Sequence, residues 1–218
     1  MKKFKNIISL GFNCHVAKDL ERLGYRNASY PFDWLISDFC DVVKSVENNF
    51  SQWLLLENIV QDEEHKNVYH DRGTEFDFYH DFFPDKEISQ QYAAVKEKYC
   101  RRIARFQKDC CEPTVFIRFV RNEKDFKYIT ENSEKILSVL KSFNAENECI
   151  YLLLNENLQT YADEKVFFLC TDLLYPLKTS KNVQKYIKKN LNINKWKLFK
   201  NKKRYFTKRF NAVKKKFL

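Results

Sequence analysis

The hydrophobic positions begin with a short run, Phe4 to Leu10, that predicts a β-strand running into Gly11-Phe12-Asn13-Cys14. Val16, Leu20 and Leu23 then recur at helical spacing, with Asn13 as N-cap and Gly24 as the stop. Tyr30-Pro31-Phe32-Asp33-Trp34 is a turn, because Pro31 turns the residue before it away from helix. Phe39, Val42, Val43, Val46 and Phe50 mark one face of a second helix. Two extended pieces, 68–70 and 76–80, flank a turn at Asp71-Arg72-Gly73. A long helix from about Ile88 to Cys110 follows, with Ile88, Tyr92, Val95, Tyr99, Ile103 and Phe106 as its apolar stripe.

After Pro113 the pattern becomes simpler. Strands are predicted at 114–119, 149–154 and 165–170, with a helix from Glu123 to Phe143 between the first two. These strands are apolar at consecutive positions, so both of their faces are covered. Short apolar runs alternating with amphipathic helices are the pattern of βαβ units on a parallel sheet. The fold class is therefore α/β, a mostly parallel sheet with helices on both faces in a Rossmann-like three-layer arrangement. A catalytic-type domain over 1–176 is followed by a basic, amphipathic helical tail over 177–218.

Charge sharpens the picture of that tail. The chain carries a net charge of +10, yet the segment from Leu173 to Leu218 holds 16 Lys+Arg and no Asp or Glu. The first 172 residues are consequently mildly acidic, with 23 basic against 29 acidic side chains. Ile193, Trp196, Phe199, Phe206, Phe210, Val213 and Phe217 fall at helical spacings among the tail lysines and arginines. A helix of that kind suits a membrane interface, its aromatic side in the acyl boundary and its cations near anionic headgroups. Residues 193–217 are thus expected to meet an anionic membrane surface. The alternatives are a stripe docked on the body and, as the weaker fit, contact with nucleic acid.

The seven cysteines are odd in number, form no CxxC pair and stand in no metal-ligand spacing with the four histidines, so no metal is expected. No Walker loop, GxGxxG, HExxH or GxSxG sequence occurs, and no cofactor is expected. The basic N-terminus has only a short apolar run and reads as a first strand, not a signal peptide. The chain is expected to be reduced and cytoplasmic, peripheral at the inner face of the membrane through its tail.

Cys14 is the first chemical candidate. Following directly on strand and glycine, it would stand at the carboxyl edge of the sheet and at a helix N-terminus, where the dipole favours thiolate. His80, at the end of an aromatic strand, is the best available base, since a thiol needs an imidazole within hydrogen-bond reach. His70 is a rival, with Asp71 beside it as a ligand contact, whereas His15 should point elsewhere along its helix. Asp33, set between bulky aromatics, could orient a histidine, pair with Arg26 or make a local turn bond. Arg118, inside an otherwise apolar strand, must find a carboxylate or face the crevice, where it would suit a phosphate or carboxylate. Arg101 and Arg102 lie on the polar side of the long helix, where a solvated face is the default.

Ser9-Leu10-Gly11…Cys14, Arg26…Ser29, Pro31-Phe32-Asp33-Trp34, Asp71, His80-Asp81-Phe82, Lys98-Tyr99…Arg101-Arg102…Arg105-Phe106 and Phe116-Ile117-Arg118 together resemble a bacterial and plant family. That family is a domain of unknown function described as putative papain-like cysteine peptidases, and the resemblance covers about residues 5–155. It implies Cys14 as nucleophile and His80 as base, in the Cys-before-His order of papain-like enzymes. Asp33 is the first candidate for the orienting residue, with Asn155 and Asp172 as later ones. A nucleophile in the loop after strand one is also similar to the SGNH esterase arrangement, with Cys in place of serine.

The leading expectation is a cysteine-dependent hydrolase or acyl transferase acting on a small-molecule, peptide or glycan substrate. Arg26, Asp71, Asp81, Arg102 and Arg118 are the candidate substrate-binding residues. The rival expectation is a non-peptidase transferase or binding protein of cytoplasmic-side surface-polysaccharide or lipid-linked glycan metabolism. In that case Cys14 would only pack.

Overall fold

The computed structural model describes residues 3–154 and 166–214, with side chains as far as Ala212. Asn155, Phe217 and the side chain of Val213, all considered above, lie outside the described residues.

The chain forms β1 (Asn6–Ser9), α1 (His15–Arg22), β2 (Leu35–Ile36), α2 (Phe39–Glu47), β3 (Ile59–Gln61), β4 (Tyr69–Asp71), β5 (Phe76–Phe78) and α3 (Ile88–Cys110). There follow β6 (Thr114–Val120), α4 (Glu123–Glu131), α5 (Ser133–Lys141), β7 (Glu148–Leu153), β8 (Phe167–Leu169), α6 (Pro176–Thr179), α7 (Lys181–Asn190) and α8 (Lys195–Lys214). Four strands make a parallel sheet in the order β1-β6-β7-β8. Alternation along these strands sends Ile8, Phe116, Cys149 and Tyr151 to one face, under α2, α3, α4 and α5. Ile7, Val115, Ile117, Ile150 and Leu152 go to the other, where Val16 and Leu20 of α1 and Val183 and Ile187 of α7 cover them. The three-layer α/β architecture predicted from the apolar runs is present.

The second sheet was only half visible in the pattern. β4 and β5 are the two extended pieces around the Asp71–Gly73 turn, and they pair as an antiparallel hairpin. β2 and β3 flank it to give the order β2-β5-β4-β3. At two and three residues, these flanking strands are too short to show any period. The predicted helix 123–143 is two helices, broken at Asn132. α4 begins with the side chain of Asn122 accepting from the Asp125 amide, an N-cap worth about 1 kcal/mol.

Residues 177–218 do not form one separate tail. Leu177, Val183 and Ile187 are fully buried in the second core, and the Phe4 amide and carbonyl bond to Asn190 and Asn192. Only α8 lies outside the three layers, and it docks on the end of α1. Gly24 has a φ of +80°, and a Cβ there would stand 2.7 Å from the carbonyl oxygen of Leu198. Its lack of a side chain lets α8 approach that closely. Asn201 then donates to the Gly24 carbonyl at 3.0 Å.

Arg118 holds the carboxyl edge of the parallel sheet together. It is fully buried on β6. Its Nε and Nη2 donate to Asp125 of α4 at 3.1 and 2.5 Å. Nη1 donates to the Leu10 carbonyl at 3.0 Å and to Ser37 Oγ at 3.2 Å, and Nη2 also reaches the Ser37 carbonyl at 2.6 Å. The other oxygen of Asp125 accepts from the Phe39 amide at 2.8 Å, at the start of α2. One guanidinium thus joins β6, the loop after β1, the segment before α2 and α4. The expectation that Arg118 faces substrate is corrected: it is sealed from solvent and its donors are occupied within the fold.

Removing the carboxylate strands a buried cation, which typically costs about 3–5 kcal/mol. Asp125→Asn is therefore expected to lower the urea midpoint sharply. Lys124→Gln, which breaks only an exposed pair with Asp38, should change stability by about 0.5 kcal/mol or less.

Candidate active site

The loop after β1 places Cys14. Gly11 and Phe12 both take left-handed backbone, with φ of 79° and 71°. A Cβ at Gly11 would meet the Phe32 carbonyl oxygen at 2.9 Å, so the position requires glycine. Phe12 has no such freedom and carries about 1–2 kcal/mol of local strain. Its ring is held edge-on to Phe119 and faces the guanidinium of Arg121 at 5.0 Å. Cys14, not Asn13, is the N-cap of α1, while Asn13 Oδ1 accepts from the His15 amide at 2.9 Å. The half-buried thiol therefore stands at the carboxyl edge of the parallel sheet, beside the open N–H end of a helix.

The other cysteines divide differently. Cys110, Cys149 and Cys170 are buried, and burial pushes each thiol up, Cys149 and Cys170 to about 12. Burial and the neighbouring Asp41 also raise Cys40. Cys100 and Cys111 are exposed on or just after α3.

The predicted motifs on α3 have a structural account. Asp81 is buried, bonded to Lys98 Nζ and at 2.8 Å to the Tyr99 hydroxyl. It pins the His80–Phe82 segment against α3, leaving the His80 side chain exposed. One turn further along α3, Arg102 stacks on Tyr99 at 4.8 Å and reaches into a cavity. Arg105 donates to the Ser29 carbonyl at 2.6 Å, and Phe106 is buried. β5 ends two residues before His80, and its Phe78 pairs with Leu35, the residue after Trp34. His80 and Trp34 thus leave the small sheet at the same edge. No hydrogen bond joins Cys14 to His80 among the described residues.

The carboxylates expected to contact substrate are mostly internal. Asp33 is buried and accepts from Arg26 Nη2 at 2.5 Å and the Tyr30 amide at 2.8 Å. Burial raises its carboxyl group, and Arg26 opposes that shift. Its partner is therefore Arg26, not a histidine. Asp71, fully buried, accepts from the Leu54 and Gly73 amides at 2.8 and 3.0 Å and secures the β4–β5 turn. For Asp71 and Asp81 the substrate-contact expectation is corrected to an internal anchoring role. His70, the rival base, lies between Asp77 at 2.9 Å and Glu75 at 3.3 Å.

Arg26 and Arg102 do come together, at a cavity of about 760 Å³. One wall is α1, through His15, Lys18, Asp19 and Arg22, four positions on a single helical face. The opposite wall is α8, through Tyr205, Lys208, Arg209 and Ala212 at the same spacing. Trp34, Arg26 and Arg102 lie between the walls, with Tyr175 beside them. His15 was set aside in the sequence because, next to Cys14 on a helix, it should point in a different direction. In the fold it lines this cavity, and its Nδ1 is buried without a partner. Burial lowers its pKa below 6.5, as do Lys18 and Arg121, against Asp172 and the Leu173 backbone. The polar face of α1 was the available signal for these residues. The return of α8 from nearly 200 residues away had none.

Among the described residues no group of three or more His, Cys, Asp or Glu side chains could hold a metal ion. None of their helices is long and apolar enough to cross a membrane.

Comparison with known proteins gives two matches. A family model described as "Putative papain-like cysteine peptidase (DUF1796)" matches residues 5–158. The chain is also 32% identical over 171 residues to the uncharacterized protein R408 of Acanthamoeba polyphaga mimivirus, spanning 67% of this chain and 75% of that protein. No solved structure matches.

Proposed function

We propose, because the chain belongs to the family described as putative papain-like cysteine peptidases, that it is a cysteine-dependent hydrolase or acyl transferase with Cys14 as nucleophile. The observation that carries this reading is the placement of Cys14. It follows a two-residue left-handed turn and caps a helix whose first residue, His15, lines a cavity of about 760 Å³.

The thiolate of Cys14 attacks the substrate carbonyl carbon to form a tetrahedral adduct. Collapse of the adduct expels the leaving group and leaves a thioester on Cys14. Water or an acceptor then attacks the thioester, releasing the acyl group and restoring the thiol. The N–H end of α1, where Asn13 already takes the His15 amide, suits the developing oxyanion. His80 takes the thiol proton and returns it to the leaving group. Its support is the anchoring of His80 through Asp81 to α3, one turn from the cavity residue Arg102. Arg26, locked by Asp33 and Ser29, holds the turn that carries Trp34.

The outer side of α8 is the part that meets the membrane. Trp196, Phe199 and Phe206 are 57–63% exposed although α8 docks on the body through Leu198, Asn201 and Lys208. Docking and membrane contact, which were alternatives in the sequence, use different sides of the same helix. The lysines and arginines between the aromatics complement anionic headgroups at a cytoplasmic membrane face, each adding about 1 kcal/mol near the surface.

Turnover of a panel of ester, thioester and amide substrates should fall about 10³-fold or more in Cys14→Ala. It should fall roughly 10²–10⁴-fold in His80→Ala. Full turnover in Cys14→Ala ends the nucleophile assignment, and full turnover in His80→Ala reassigns the base. In sedimentation with phosphatidylserine vesicles, the wild type should pellet at low salt. The Trp196→Ser, Phe199→Ser, Phe206→Ser triple variant should stay in the supernatant. Equal pelleting of the two would contradict the membrane face.

A further inference from the structure

The cavity between α1 and α8 has more positive charge than its own carboxylates can neutralise. Asp19 is paired with Arg22 at 2.5 Å, and its other oxygen accepts from the Leu177 and Lys178 amides. Glu21 is shared between Arg26 at 3.7 Å and Lys208 at 3.3 Å. Lys18, Arg102 and Arg209 line the same space, and none has a carboxylate ion-pair partner among the described residues. Two guanidinium nitrogens there, Nη1 of Arg102 and Nε of Arg26, are buried with no hydrogen-bond partner. The Arg26 side chain is only 9% exposed, and Asp33 fixes its orientation. Buried donors without partners are costly, so these two side chains carry hydrogen-bonding capacity that the fold itself leaves unused.

The aromatic groups complete the picture. Trp34 faces the guanidinium of Arg26 at 5.1 Å and the ammonium of Lys18 at 6.0 Å, so its indole lies among the cations. The volume falls in the range that encloses a small molecule. Guanidinium forks match phosphate oxygens, and three cations without a carboxylate partner, one of them (Arg209) bonded to the Tyr205 hydroxyl at 3.3 Å, exceed what a single carboxylate would balance.

We propose that this cavity binds a phosphate-bearing ligand, its phosphate or diphosphate held by Arg102, Lys18 and Arg209 and its organic portion resting against Trp34. The site is lined by His15, the residue after Cys14, but does not depend on thiol chemistry. It would take the anionic part of a substrate of that thiol, or a separate ligand.

Titration calorimetry of the full chain with inorganic pyrophosphate tests it directly. Binding is expected at low salt and should weaken as salt rises. Arg102→Gln and Lys18→Gln should each lower the affinity about tenfold or more. Lys127→Gln, on the exposed side of α4, should not change it. Neither substituted residue is tied into the fold by an ion pair, so both variants should fold. Cys14→Ala should bind as the wild type does, which separates this proposal from the nucleophile assignment. Absence of pyrophosphate binding in the wild type overturns the site. So does binding that Arg102→Gln and Lys18→Gln leave unchanged, since it would then belong to the exposed cations of α8. Soluble ADP and monomeric dihexanoyl phosphatidic acid distinguish the source. Tighter, Arg102-dependent binding of ADP assigns a nucleotide-type ligand, and of the phosphatidic acid a lipid headgroup.

Discussion

The buried contact between Arg118 and Asp125 fixes the relation of four segments that are far apart in sequence. A guanidinium placed in the interior of an apolar sheet can persist only if its charge and its donors are satisfied. Here one carboxylate, two carbonyls and a serine hydroxyl do so. Two of these acceptors, the Leu10 carbonyl and Ser37, are the points from which the chain enters the Gly11–Cys14 loop and the α2 helix. The start of the loop that carries the thiol is therefore held by a network sealed from solvent.

From that network the site grows outward in two directions. Along α1, the left-handed turn at Gly11 and Phe12 delivers Cys14 to the helix start, and the polar face of the helix becomes one wall of a cavity. Along α3, Tyr99 and Lys98 hold Asp81, Arg102 reaches into the cavity and Arg105 grips the loop at Ser29. α8 closes the far side because Gly24 lets it pack against the end of α1. Its inner residues face the cavity while Trp196, Phe199 and Phe206 remain outside.

Much of this was legible along the chain. Consecutive apolar positions at 114–119 and 149–154 announced the buried parallel strands Thr114–Val120 and Glu148–Leu153, and a helix from about Ile88 to Cys110 was readable. Arg118 was recognisable as an anomaly that had to find a carboxylate. That the carboxylate was Asp125, seven residues on and across a strand-to-helix turn, depended on packing that periodicity does not encode. In the sequence Asp33 looks like an orienting carboxylate and Asp71 like a substrate contact, because they sit near turns and aromatics. They are acceptors for backbone amides and for Arg26, a distinction visible only once burial is known. The basic tail misled in another way: its first part, 177–191, hides apolar residues that complete the core, so its charge pattern described the solvent side alone.

That the Arg118 network presents Cys14 for reaction is the central proposal. Its most direct test is residue-resolved iodoacetamide labelling of the native chain at neutral pH, in the wild type and in an Arg118→Met, Asp125→Leu double variant that removes both buried charges together. In the wild type, Cys14 should label faster than the exposed Cys100 and Cys111, while Cys110, Cys149 and Cys170 wait for unfolding. In the variant, with the three buried cysteines still protected and the fold thereby shown to persist, the advantage of Cys14 should disappear. A Cys14 that reacts no faster than Cys100 in the wild type, or equally fast with and without the network, would contradict the claim.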